Sequence, residues 1–166
     1  MSAVSRLITL AAAFLCVALF AVPARATVTV PITLKYAGTF GATAEPAGCP
    51  GLPVTDTLTG TGSHLGLFTA TYPHCVNFAA STFSGTATFK ASNGDLLFVL
   101  LGGSADDPTC TTTGICDVSF TGTIIGGTGR FEGAEGTLTG TGTVDLNAST
   151  ITAALMGTMN KDPKPF

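Results

Sequence analysis

The chain has 166 residues, a length that suits one domain. It is 45% hydrophobic but only 10% charged, where roughly 25% charged is usual. That balance excludes a solvated disordered chain, which needs few apolar residues and high net charge. A net charge of −3 with no basic stripe excludes a nucleic-acid partner.

Residues 1–26 read as a secretory signal peptide. One positive charge at Arg6 precedes an apolar run of about 16 residues, Leu7 to Val22, and Pro23-Ala24-Arg25-Ala26 sets small residues where a signal peptidase reads them. The run is shorter than the roughly 20 residues of a spanning helix, and Cys16 lacks the flanking small residues of a lipoprotein signal, so no membrane attachment is expected after cleavage. The expected product is a single domain, 27–166, secreted or periplasmic, with five Lys and Arg against ten Asp and Glu.

From Thr27 onward, apolar residues recur with period two and not with the helical period. The first strand, 27–36, puts Val28, Val30, Ile32, Leu34 and Tyr36 on one face. Further strands are expected at 56–64, 67–73, 81–91, 96–102, 117–125, 130–146 and 149–159. Threonine occupies one face of most of them, with aliphatic, aromatic or glycine residues on the other, as a sheet buried on one side requires. Asn93-Gly94-Asp95 is a hairpin signal, Gly126 to Gly129 serves another turn, and the long loops lie at 46–53 and 102–116. The fold class that follows is all-β, an eight-stranded antiparallel up-and-down barrel with no open edge; a two-sheet β-sandwich is the alternative.

In such a meander the connections after odd strands share one end of the barrel. Cys49, Cys75, Cys110 and Cys116 all fall there. Four cysteines in an exported chain read as two disulfides, with three connectivities open, and the topology favours Cys49 with Cys75 and Cys110 with Cys116. Their spacing matches no zinc signature, so no metal is expected. The turns holding His64, Asp95 and Arg130 belong to the opposite end.

Gly126-Gly127-Thr128-Gly129-Arg130-Phe131-Glu132-Gly133-Ala134, followed by Gly136, resembles the glycine-rich hairpin of dirigent-like and allene oxide cyclase-like barrel proteins. Ser63-His64-Leu65-Gly66 and Asn93-Gly94-Asp95 are similar to pieces of secreted bacterial members of that group. The resemblance covers roughly Asp56 to Asn160. It implies an eight-stranded barrel, in many relatives with an apolar cavity, and in the plant members a cavity that steers cyclisation or coupling of a reactive small molecule. It also implies dimers or trimers. The plant enzymes' acidic and aromatic cavity residues find no clear counterparts here.

Three functions are therefore weighed: a carrier of a small apolar ligand, a dirigent-like or cyclase-like enzyme, and an extracellular structural or interaction module. The sharpest site expectation places His64 and Glu135 at a ligand mouth on the disulfide-free end, as an acid/base pair with Asp95 and Arg130 beside it. The plainer reading, which the sequence favours because two titratable residues do not by themselves make a site, has His64 cap a turn while Glu135 is solvated or pairs with Arg130. Asp56 shares a face with Leu58, and His74, next to Cys75, reads as an exposed loop residue. Asp106-Asp107 reads as a solvated turn. Gly127-x-Gly129 has Glu132 where a dinucleotide fingerprint needs glycine, so no cofactor is expected.

Overall fold

The computed structural model describes residues 28–105 and 110–161. The expected cleavage site, Asp106-Asp107 and the end of the C-terminal tail lie outside the described residues. Eight strands close into one antiparallel barrel in simple sequential order: β1 (Val28–Ala42), β2 (Leu52–Gly62), β3 (Gly66–Asn77), β4 (Thr82–Ala91), β5 (Leu96–Ala105), β6 (Ile115–Gly127), β7 (Glu135–Asp145) and β8 (Thr150–Lys161). A four-residue helical turn, α1 (Cys110–Thr113), precedes β6, and a 3-10 turn over Gly129–Phe131 precedes β7. The barrel closes where β1 pairs with β8, Val28 opposite Lys161 through Thr39 opposite Thr150. The sandwich alternative is thereby set aside.

Alternation explains the core. Ile32, Leu34 and Tyr36 of β1, Phe68, Ala70 and Tyr72 of β3, and Leu97, Val99 and Leu101 of β5 all point inward and are buried. The threonines between the inward positions, such as Thr57, Thr69 and Thr139, stand exposed on the outside. Glycines on the inner face make room for larger neighbours: a Cβ at Gly85 would lie 2.7 Å from the Cα and Cβ of His74, its cross-strand partner.

Several strands run further toward the disulfide end than the alternation predicts. β1 continues past Tyr36 to Ala42, β2 begins at Leu52 and not at Asp56, and β3 continues past Pro73 to Asn77. Gly38, Gly41, Pro53 and Pro73 interrupt the hydrophobic pattern there, yet pairing to neighbouring strands carries the backbone through. Pro73, which has no N–H to donate, sits in a short gap in the β3–β4 ladder between Thr71 and His74.

The expected strand 130–146 is corrected at its start. Phe131 belongs to the 3-10 turn, Gly133 takes φ 68°, and β7 begins only at Glu135. Phe131 and Leu138 have opposite parity, so one unbroken strand could turn only one of them inward; the turn breaks the strand between them, and both are buried.

Both disulfides form with the favoured connectivity. Cys49 joins Cys75 across 26 residues, and Cys110 joins Cys116 across 6. No helix among the described residues is long and apolar enough to cross a membrane.

Candidate functional site

The two ends of the barrel are built differently. At the disulfide-free end Leu65, Phe131 and Ala134 come from turns, and they meet Ile32, Leu97 and Met159 from the strands; all six are fully buried. Asp95 and Arg130 fasten this plug from outside. Arg130 Nε lies 3.3 Å from Asp95 Oδ2, and the Arg130 backbone N–H donates to the same oxygen at 3.2 Å. Arg130 also donates to Asn93 Oδ1 at 2.8 Å, so the β4–β5 hairpin is tied to the turn before β7. Gly129, at φ 59°, is required here, because the Asp95 carboxylate occupies the space a Cβ would need.

The cavity opens at the opposite end, the one that carries the disulfides. Its volume is about 300 Å³, and the strand extensions described above form part of its walls. Phe40, Val54, Phe83, Val118 and Phe120 supply apolar surface, and exposed Leu52, Phe78 and Leu146 form the rim. Phe83 packs edge-on against Phe120 with ring centroids 5.2 Å apart, a preferred aromatic geometry.

Two polar side chains stand in this apolar setting, Asp56 and His74, and they are the buried polar residues of the barrel interior among those described. Each arrives by strand parity. Val54, Asp56 and Leu58 alternate inward on β2, as Ala70, Tyr72 and His74 do on β3. Asp56 pairs with Tyr72 and Val54 with His74, so Asp56 and His74 are diagonal neighbours, with His74 Nδ1 3.7 Å from Asp56 Oδ1.

That distance is too long for a hydrogen bond, and His74 Nδ1 is already engaged with the Tyr72 carbonyl at 3.0 Å. A carbonyl can only accept, so Nδ1 carries the proton, and on the neutral ring Nε2 is an acceptor. The His74 ring stacks on Tyr72 at 4.3 Å, and the Tyr72 hydroxyl donates to the Leu101 carbonyl at 2.7 Å.

Burial sets the protonation. Desolvation pushes the Asp56 carboxyl up to about 7 and pulls His74 below its ordinary value, because each charged form has lost its water. The hydroxyls of Tyr36 and Tyr72 are pushed upward, first by burial and then by the charge of Asp56. Near neutral pH the cavity thus holds a neutral imidazole beside a carboxyl poised between its two forms. Such a carboxyl is competent to donate or accept a proton.

The residues singled out from sequence lie elsewhere. His64 takes a left-handed conformation, φ 65°, in the β2–β3 turn, and its Nε2 meets the Pro31 carbonyl at 3.1 Å. Glu135 opens β7 exposed, with parity opposite to inward Leu138. The structure therefore does not bring His64 and Glu135 together in the barrel interior, and Asp95 and Arg130 stand at the closed end, away from the cavity. His74 is likewise corrected from exposed loop to buried strand residue, 7% exposed. Its inward position was hidden by Pro73 and by the adjacent cysteine. For Asp56 the shared face with Leu58 was the signal that could have found it.

No family model matches the sequence, and no curated protein matches it. Solved structures do share its shape. The pterocarpan synthase dirigent protein GePTS1 superposes with a TM-score of 0.60 over 82% of this chain and 90% of that one, at 16% identity. The pterocarpan synthase dirigent protein PsPTS1 gives a TM-score of 0.59 over 82% of this chain and 97% of that one, also at 16% identity. At that identity the likeness is one of architecture: the chain adopts the eight-stranded barrel fold of dirigent proteins.

Proposed function

We propose that this protein is an exported barrel that holds one small, largely apolar molecule in the cavity at its disulfide end. The observation that carries the reading is a buried carboxyl and a buried imidazole placed at the floor of an apolar cavity of about 300 Å³. A few polar groups set in apolar walls orient a ligand, whereas a barrel that serves only as a scaffold gains nothing from burying an unpaired carboxyl. Two disulfides and the N-terminal signal pattern support export.

A second reading has its own support. The fold shared with pterocarpan synthase dirigent proteins and the carboxyl poised near neutrality favour a dirigent-like or cyclase-like enzyme acting through proton transfer at Asp56.

Native mass spectrometry of the purified protein, followed by denaturation without reductant, tests the first reading. The expected result is a co-purified mass of a few hundred daltons, or saturable one-site uptake of an apolar fluorescent dye. Ala105→Trp, which fills the cavity wall, should abolish both. A native mass without ligand, together with dye uptake unchanged in Ala105→Trp, would sink it.

A further inference from the structure

The polar floor of the cavity is unbalanced. The Asp56 side chain is only 4% exposed, and the nearest ring nitrogen, His74 Nδ1, is neutral and 3.7 Å away. Among the described residues no fully enclosed polar side-chain atom lacks a hydrogen bond, so the Asp56 carboxyl must keep a face open to the cavity. His74 offers its Nε2 lone pair, because Nδ1 is committed to the Tyr72 carbonyl. The hydroxyl of Tyr72, the cross-strand partner of Asp56, is committed to Leu101. The floor therefore presents acceptors that no protein donor fills among the described residues.

Charge points the same way. Lys90 and Arg130 belong to the closed end, and Lys35 lies on the outside of β1; none of them lines the cavity. Glu45, Asp117 and Asp145 flank the open end. Carboxylate or phosphate ligands would meet negative charge there. A cation would find the buried carboxyl below it and the faces of aromatic side chains around it.

We infer that the ligand of this cavity is an organic amine: an ammonium group donating to Asp56 and His74 Nε2, carried on an apolar body that fills the space between Phe83, Phe120 and Val118. The inference rests on the cavity being a ligand site and adds the chemical class of its occupant. One ammonium supplies at least two donors and a full positive charge, which a neutral hydroxyl does not.

Binding should be linked to the ionisation of Asp56. The ionisable groups that face it are Tyr36 from β1 and Tyr72 and His74 from β3, while the β4 to β8 walls present uncharged side chains. A cation needs the carboxylate, so affinity rises with pH as Asp56 loses its proton near 7 and then levels off while the amine stays charged.

Calorimetry with three matched probes tests this: tryptamine, its neutral counterpart tryptophol, and the anion indolepropionate. Tryptamine should bind at least about tenfold more tightly than tryptophol, and indolepropionate should not bind. Tryptamine affinity should rise about tenfold between roughly pH 6 and pH 8, as expected for release of one proton. Asp56→Asn should cost tryptamine roughly ten- to a hundredfold and flatten its pH profile. Tryptophol binding as well as tryptamine, or a flat wild-type profile with tryptamine bound, would overturn the amine inference and leave the cavity reading standing. Failure of all three probes and of the apolar dye would overturn both.

Discussion

The two ends of this barrel solve opposite problems with the same strands. At the closed end, three turn residues, Leu65, Phe131 and Ala134, fold inward and fill the lumen, and an exposed ion pair with its hydrogen bonds holds the turns in place. At the open end the turns stay outside, disulfides hold them, and the lumen is left partly empty around Asp56 and His74. Packing thus secures one end and covalent bonds the other. A barrel that must keep a cavity gives up apolar burial at that end, and cross-links replace part of the lost stability.

The largest effect should come from breaking the plug. Phe131 is fully buried, and Phe131→Ala is expected to cost about 3–5 kcal/mol in urea denaturation. The open-end cavity should still take up dye in the fraction that remains folded. Loss of dye binding without unfolding would mean that the two ends are coupled.

Next in size is the pH response of the open end. The folded-state value of Asp56, about 7, lies above its ordinary 3.8, so the folded protein holds this proton more tightly than the unfolded chain. Its contribution is full below the unfolded value and is lost as pH rises through about 7. His74, shifted downward, acts in the opposite sense: its contribution is present above its unfolded value and is lost as pH falls. The opposing histidine effect largely cancels when wild type is compared with Asp56→Asn. The variant should gain stability relative to wild type as pH rises from about 4 to about 7, by up to roughly 4 kcal/mol, with no further gain above. A difference independent of pH would show that Asp56 is solvated in the folded state.

The disulfides sharpen the comparison further. Loop-closure entropy gives the Cys49–Cys75 bridge, across 26 residues, about 3–4 kcal/mol, and the Cys110–Cys116 bridge, across 6, about 2 kcal/mol. Paired Cys→Ala variants measured by thermal denaturation should fall in that order. The reverse order would mean that the short bridge shapes the cavity wall more than it restrains the unfolded chain.

Surface groups of the closed end should matter least. Arg130→Ala removes a pair whose side chains are 42% and 21% exposed and is expected to cost under about 1 kcal/mol. Glu135→Ala, on the outer face, should lie within about 0.5 kcal/mol of wild type and leave dye binding unchanged.

What could be read from the residues follows from their local periodicity. Alternation of Phe83, Gly85, Ala87 and Phe89 against Ser84, Thr86 and Thr88 requires a strand with one dry face, and eight such stretches, most of them separated by short turns and two by long loops, suit an antiparallel meander. Odd and even connections then sort the cysteines to one end, so the disulfide pairing was legible too. The inward direction of Asp56 was legible through Leu58. His74 was not, because Pro73 and Cys75 disguise the end of a strand as a loop, and only the ladder to Val54 and Gly85 extends β3 past them.

The choice of which end is open belongs to tertiary structure alone. Local sequence marks His64, Asp95 and Arg130 as polar turn residues, and polar turns resemble the rim of a site. Whether a turn rims a cavity or caps it depends on whether neighbours such as Leu65 and Phe131 fold into the lumen. That is settled by the volume the strands leave between them, a sum over side chains distant in sequence. The shifted protonation of Asp56 has the same origin, since desolvation is imposed by the walls that surround a carboxyl and not by the residues on either side of it in the chain.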